Sequence, residues 1–221
     1  DQVLDRLFRK HLRKALELEQ VPIPGEPLEK LKKRVEVITD PRAALLRIRD
    51  LRKKKGVLAF DYETNRIKPD DPKAKIVAVS FCLNGEDTFA CPVTEALHPA
   101  ISEVLKSTRF KCVASNLKNE ERWTRAKLGH PVAKWYWDTM LGAHFLDNRG
   151  SISSLKFQSF VQFGVSDYGR VVSPYFERTD KEGFNAVEEC PLDELLLYNG
   201  LDSLLEYMLA EVQRRQMGLK T

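Results

Sequence analysis

Apolar and polar positions change period along the chain, and each change marks an element. Leu4, Leu7, Phe8, Leu12, Ala15 and Leu16 recur at helical spacing and predict an amphipathic helix over residues 3–19. The stretch VPIPGEP that follows breaks the pattern and reads as a linker. Residues 35–38 form a short strand, and Thr39 or Asp40 before Pro41 starts a helix. Ala43, Leu46 and Leu51 carry that helix to the basic run 52–55, and Gly56 ends it. VLAFDYETN, residues 57–65, is the next strand. Apolar runs at 76–83 and 88–93 flank Asn84-Gly85, a strong hairpin signal. Three strands on short links predict an antiparallel meander.

Beyond it strand and helix alternate. Helices are expected at about 99–107 and 120–128, with strands at 111–114 and 135–137. Such alternation predicts parallel additions, hence an α/β fold with a mixed sheet flanked by helices. From Thr139 the chain reads as helical, at 140–146, 153–163 and 191–215, the last with a break near Asn199-Gly200. Residues 164–190, with three Gly, read as a long loop placed to border a site. The expected organisation is a helical leading segment and linker over 1–34, hinged near residues 22–27, and one domain over 35–221.

Period two points Asp61 and Glu63 to one face of their strand. A buried strand that ends in two anions needs something cationic beside it, and Mg²⁺ or Mn²⁺ suits carboxylate oxygens. The alternative is that one acid caps a turn and the other is solvated. Asn116 to Glu121, NLKNEE, follows a strand and opens a helix, where the dipole favours an acid whatever its function. Tyr198 and Asp202, at i and i+4, share a helix face.

Composition narrows the class. A hydrophobic content of 43% and a charged content of 31% describe an ordinary soluble globular protein. No apolar run approaches the roughly 20 residues of a membrane span. No signal peptide is visible, and the missing initiator Met fits a fragment or a processed chain. Cys82, Cys91, Cys112 and Cys190 lack zinc spacing and predict a reducing, intracellular, cytoplasmic setting. His98, His130 and His144 show no ligand spacing either. Without a Walker A or GxGxxG motif, no nucleotide cofactor is expected. Trp123, Trp135, Tyr136 and Trp137 could stack bases, but their positions favour core packing. Residues 1–56 hold sixteen Lys/Arg against nine Asp/Glu, and 57–221 hold twenty against twenty-three. The basic leading segment is thus expected to contact nucleic acid or a partner, and the acidic part to need metal.

LAFDYET, ASNLKNEERW, WDTML and YNGLD, in that order, resemble the motifs of the DEDD exonuclease superfamily. Tyr198, four before the last acid, marks the DEDDy branch. The set is most similar to the 3′–5′ proofreading domain of family A, DNA polymerase I-like, polymerases, over about residues 35–208. The resemblance implies a ribonuclease H-like fold with a mixed five-stranded sheet and two divalent ions. It implies that Asp61 bridges both, that Glu63 and Asp202 complete the ion holding the attacking water, and that Tyr198 orients that water. Glu120 would hold the other ion where the family usually has Asp, and Asn116 would lie near substrate. The implied activity removes nucleotides from a single-stranded or frayed DNA 3′ end, with a DNA polymerase, separate or following, as partner. An RNA-trimming exonuclease of the same branch and an inactive nucleic-acid-binding module are the alternatives.

Overall fold

Six strands form one mixed sheet in the computed structural model, which describes residues 26–177 and 179–219 together with Phe8, Arg9 and Leu12. They are β1 (Val35–Val37), β2 (Gly56–Thr64), β3 (Ile76–Leu83), β4 (Asp87–Pro92), β5 (Phe110–Ala114) and β6 (Trp135–Asp138). Their order is β1-β4-β3-β2-β5-β6. β2, β3 and β4 are the antiparallel meander, and β5 and β6 add in parallel beside β2. The sheet has six strands rather than the expected five because β1 pairs in parallel with β4 through Val35, Glu36 and Val37. The Asn84-Gly85 turn takes left-handed φ at both residues, 53° and 73°, which Asn and Gly tolerate best.

The helices are α1 (Glu26–Lys32), α2 (Pro41–Leu51), α3 (His98–Leu105), α4 (Leu117–Trp123), α5 (Thr139–Leu146), α6 (Leu155–Phe163), α7 (Ser173–Glu177) and α8 (Leu192–Gln216). Asp40 caps α2 by accepting from the Arg42 and Ala43 N–H groups, with Pro41 in the first turn. Alternation along β2 divides the core. Phe60 and Tyr62 pack with Phe81, Phe89 and the α2 and α3 residues Ile48, Leu51, Ile101 and Val104. Ala59 faces the other way and packs, with Cys82 and Val113, against Leu201, Leu204 and Leu205 of α8. α8 therefore lies across the face of the sheet to which Asp61 points.

Two expectations need correction. No break occurs at Asn199-Gly200: α8 runs unbroken for 25 residues. Gly200 serves a close approach instead, since a Cβ there would sit 2.3 Å from Val35 Cγ1. Residues 164–190 are not structureless either, for they contain α7 and two short bridges, Arg66↔Phe184 and Thr179↔Asn185. Asn185 Nδ2 donates to the Thr64 carbonyl at 2.9 Å and ties this stretch to the end of β2.

α1 packs on the domain, with Leu31 buried in the cluster that holds Leu201 and Leu204. The helix expected over 3–19, apart from helical Phe8, Arg9 and Leu12, lies outside the described residues, as do residues 22–25 of the expected hinge. No helix among the described residues is long and apolar enough to cross a membrane. All four cysteines are free and buried.

Candidate metal centre

β2 delivers Asp61 and Glu63 to α8, and α8 brings Asp202. One carboxylate oxygen from each of the three lies within 4.8 Å of the others. Period two along the strand therefore does set both acids on one face, as the sequence predicts. Asp61 is held in place from α8, where fully buried Asn199 donates from Nδ2 to Asp61 Oδ2 at 2.7 Å.

The fourth acid arrives from the end of β5. Asn116 takes a left-handed conformation, φ 62° and ψ 55°, and turns the chain into α4. Buried Asp138 fixes that turn, accepting from the Asn116 and Leu117 N–H groups at 3.1 Å each while also capping α5 through Met140 N–H at 2.9 Å. Its carboxylate thus satisfies the N-termini of two helices at once. The turn aims Glu120 inward, where it is 2% exposed. Asn119 Nδ2 donates to Glu120 Oε1 at 2.9 Å, and Oε2 has no partner among the described residues. Glu120 stands outside the tight group of three. Glu121 points elsewhere, accepting from Arg125 Nε at 2.6 Å and from Val132 N–H and Trp135 Nε1 at 3.0 Å each. Despite partial burial, those bonds hold Glu121 below the usual carboxylate range.

The cluster carries more negative charge than its surroundings neutralise. Asp61 keeps some solvent contact, yet burial pushes it well above the carboxylate range, and Glu63, Glu206 and Asp202 push it further. Burial and Asp202 likewise raise Glu63, against the pull of Lys156. Burial raises Glu120 to about 8, opposed by the bond from Asn119. Asp202 rises to about 6, again through burial, opposed by the hydroxyls of Tyr168 and Tyr198. Such a set takes up protons or cations. The donors are all hard oxygens, and Glu120 Oε2 is buried without a partner, so the residues fit divalent ions of the Mg²⁺ or Mn²⁺ type.

Tyr198 lies one turn before Asp202 on α8, as the i, i+4 spacing requires. Its ring stacks on Tyr168 at 5.6 Å and 23° and lies under Lys156 Nζ at 5.2 Å. Burial first, then the charges of Asp202 and Glu63, drive its pKa well above that of a free phenol. Its hydroxyl is neutral at physiological pH. Tyr168, which the sequence did not single out, donates its hydroxyl to Asp202 Oδ1 at 2.6 Å. The loop expected to border a site thus does so. Beside Tyr168 opens a cleft of ≈ 450 Å³ lined by Lys156, Phe160, Gly169, Arg170 and Ser173.

Asn199, Lys156 and Glu206 were also missed. Asn199 stands three before Asp202 and Glu206 four after it, so helical spacing carried a signal for each. The Asn116 side chain makes no capping bond, and what the structure assigns to this residue is the turn. The aromatic residues considered for base stacking are packed: Trp123 is fully buried, Trp135 stacks on Phe60 at 5.5 Å, and Trp137 Nε1 donates to Gln213.

No protein-family model and no curated protein matches the sequence. Solved structures do match the fold. Brucella melitensis NrnC bound to pGG is 13% identical, with a TM-score of 0.60 over 84% of this chain and 81% of that one. The catalytic core of RRP6 from Trypanosoma brucei is 12% identical, with a TM-score of 0.61 over 83% of this chain and 47% of that one. Escherichia coli RNase D, described as an exoribonuclease involved in structured RNA processing, is 15% identical, with a TM-score of 0.58 over 83% and 46%. The chain shares its ribonuclease H-like mixed-sheet fold with these structures. None of the three is a polymerase proofreading domain, so the finer likeness to polymerase I draws no support from them.

Proposed function

We propose that this chain is a divalent-metal-dependent 3′–5′ exonuclease acting on single-stranded ends, with RNA as its substrate. The meeting of Asp61, Glu63 and Asp202, with oxygens within 4.8 Å of one another, carries the reading. Such a trio, with Glu120 buried beside it, has no structural purpose that the fold requires. Bound divalent ions would supply the chemistry of phosphodiester hydrolysis, easing deprotonation of a water and taking up charge on the leaving oxygen.

The chain's own residues do the holding. Asp61, Glu63, Asp202 and Glu120 provide the anionic cradle, and Asn199 fixes the orientation of Asp61. The neutral Tyr198 hydroxyl orients the attacking water and cannot serve as its base, because its pKa is too high. Lys156, over the Tyr198 ring, places positive charge on the cleft side, where a phosphate chain would approach. A substrate contact from Asn116 rests on its place in the second sequence motif, beside its part in the turn into α4.

For RNA, the support is that RNase D is described as an exoribonuclease and that NrnC was solved with pGG. The four sequence motifs favour DNA and give the second reading. Matched 5′-labelled single strands of RNA and DNA, incubated with Mg²⁺, Mn²⁺ or a chelator, test both. The expected result is metal-dependent shortening from the 3′ end, faster on RNA. Faster cleavage of DNA would return the substrate to the one the motifs suggest. Binding of both strands without shortening in either metal would remove the enzyme reading.

A further inference from the structure

Glu206 follows Asp202 by one turn on α8, so the two carboxylates leave the helix on the same side. It is fully buried. Its Oε1 accepts the Ser115 N–H at 2.8 Å, and its Oε2 has no hydrogen-bond partner among the described residues. Ser115 stands where β5 gives way to the Asn116 turn, so Glu206 reaches from α8 to the side of the cluster that carries Glu120. Glu120 also presents a buried, unpartnered Oε2. Two buried carboxylates on the same side of the cluster, each with an oxygen left free, form an arrangement that folding disfavours unless a proton or a cation neutralises them.

We propose that Glu206 is a fifth carboxylate of the metal centre, its free Oε2 holding, together with Glu120, the divalent cation on the β5 side of Asp61. This rests on the exonuclease reading of the same cluster. Asp61, Glu63 and Asp202 supply three oxygens for one ion, whereas Glu120 alone is a thin site for a second. Glu206 adds the missing anion from a helix already anchored at Asp202, and its Oε1 meanwhile steadies the turn that aims Glu120. A role confined to steadying that turn would use Oε1 and leave the charge without purpose.

Mn²⁺ binding to the full chain, without nucleic acid, separates these roles. Glu206→Gln keeps an oxygen for Ser115 N–H and removes the charge. Glu206→Met fills a similar volume with no carboxylate at all. Calorimetry and the electron paramagnetic resonance of free Mn²⁺ give stoichiometry and affinity, and melting with and without Mn²⁺ verifies folding. Both variants should bind one of two Mn²⁺ ions weaker by about tenfold or more. Glu206→Gln should melt no lower than wild type without metal, because a repelling charge has gone. Wild-type stoichiometry and affinity in Glu206→Gln, with binding lost in Asp61→Asn, would overturn the assignment of Glu206 and leave the metal centre standing. A wild-type chain that binds no Mn²⁺ would overturn both.

Discussion

Glu120 and Glu121 are neighbours in sequence and opposites in surroundings. One is sealed beside Asp61 with a free oxygen, and the other is spent on Arg125, Val132 and Trp135. Glu120→Ala is therefore expected to lower nucleotide release about 10- to 100-fold while preserving the fold. Glu121→Ala should leave turnover per folded molecule near wild type but cost about 1–2 kcal/mol of stability, since two part-buried N–H donors lose their acceptor. Product release and urea unfolding, measured on both variants, check the pair. Reversed phenotypes would put Glu121 in the site. At this scale Asp61, Glu63, Tyr198 and Asp202 were legible, because strand and helix periods assign side chains to faces before any tertiary contact is known. Tyr168 was not. It sits in an aperiodic loop and meets Asp202 across 34 positions of sequence. Glu206 carried only its four-residue spacing from Asp202, and nothing in the sequence distinguished it from a surface acid, although residues 199–206 of α8 are buried on every side.

α8 shows what sequence says well and badly about an element. Its extent was readable from composition, but Gly200 looked like a break because glycine weakens isolated helices. The structure assigns it to packing, with Val35 Cγ1 occupying the space a methyl group would need. Val35 is β-branched and on a pleated strand, so it has little freedom to yield. Gly200→Ala is expected to destabilise by about 1–3 kcal/mol. Because Tyr198 and Asp202 flank Gly200, metal affinity should fall along with the melting temperature. A variant that melts as wild type would show that β1, at the sheet edge, moves aside without cost. The hairpin at Asn84-Gly85 was easier to read, since there the residue types themselves specify left-handed φ. β1 was visible as a strand, but only tertiary pairing with β4 made it part of this sheet.

Across the whole molecule, the acid cluster sets how stability depends on pH. Glu120 rises from an ordinary 4.5 to about 8 in the folded chain, and Asp202 from 3.8 to about 6, chiefly through burial. The folded state therefore holds these protons more tightly than the unfolded state. Their contribution is complete below the ordinary carboxylate pKa values and is lost as pH rises through the folded ones. The metal-free protein should accordingly melt lower at about pH 8 than at about pH 5. Saturating Mg²⁺ should flatten the difference by replacing protons with a cation. Thermal melts at both pH values, with chelator and with Mg²⁺, measure this. Greater metal-free stability on the alkaline side would show that the acids are not buried together.

The hydrogen bond from Asn199 to Asp61 spans 138 positions of sequence. During synthesis, β2 leaves the ribosome long before α8 exists, so the nascent chain carries two strand-borne carboxylates with nothing opposite them. The centre closes only when the last described helix docks. A half-made copy lacks Asn199 and Asp202, so the site proposed above cannot form before the chain has reached them, and it is completed in one late step. On the proposed reading, the order of synthesis itself delays activity until α8 is in place.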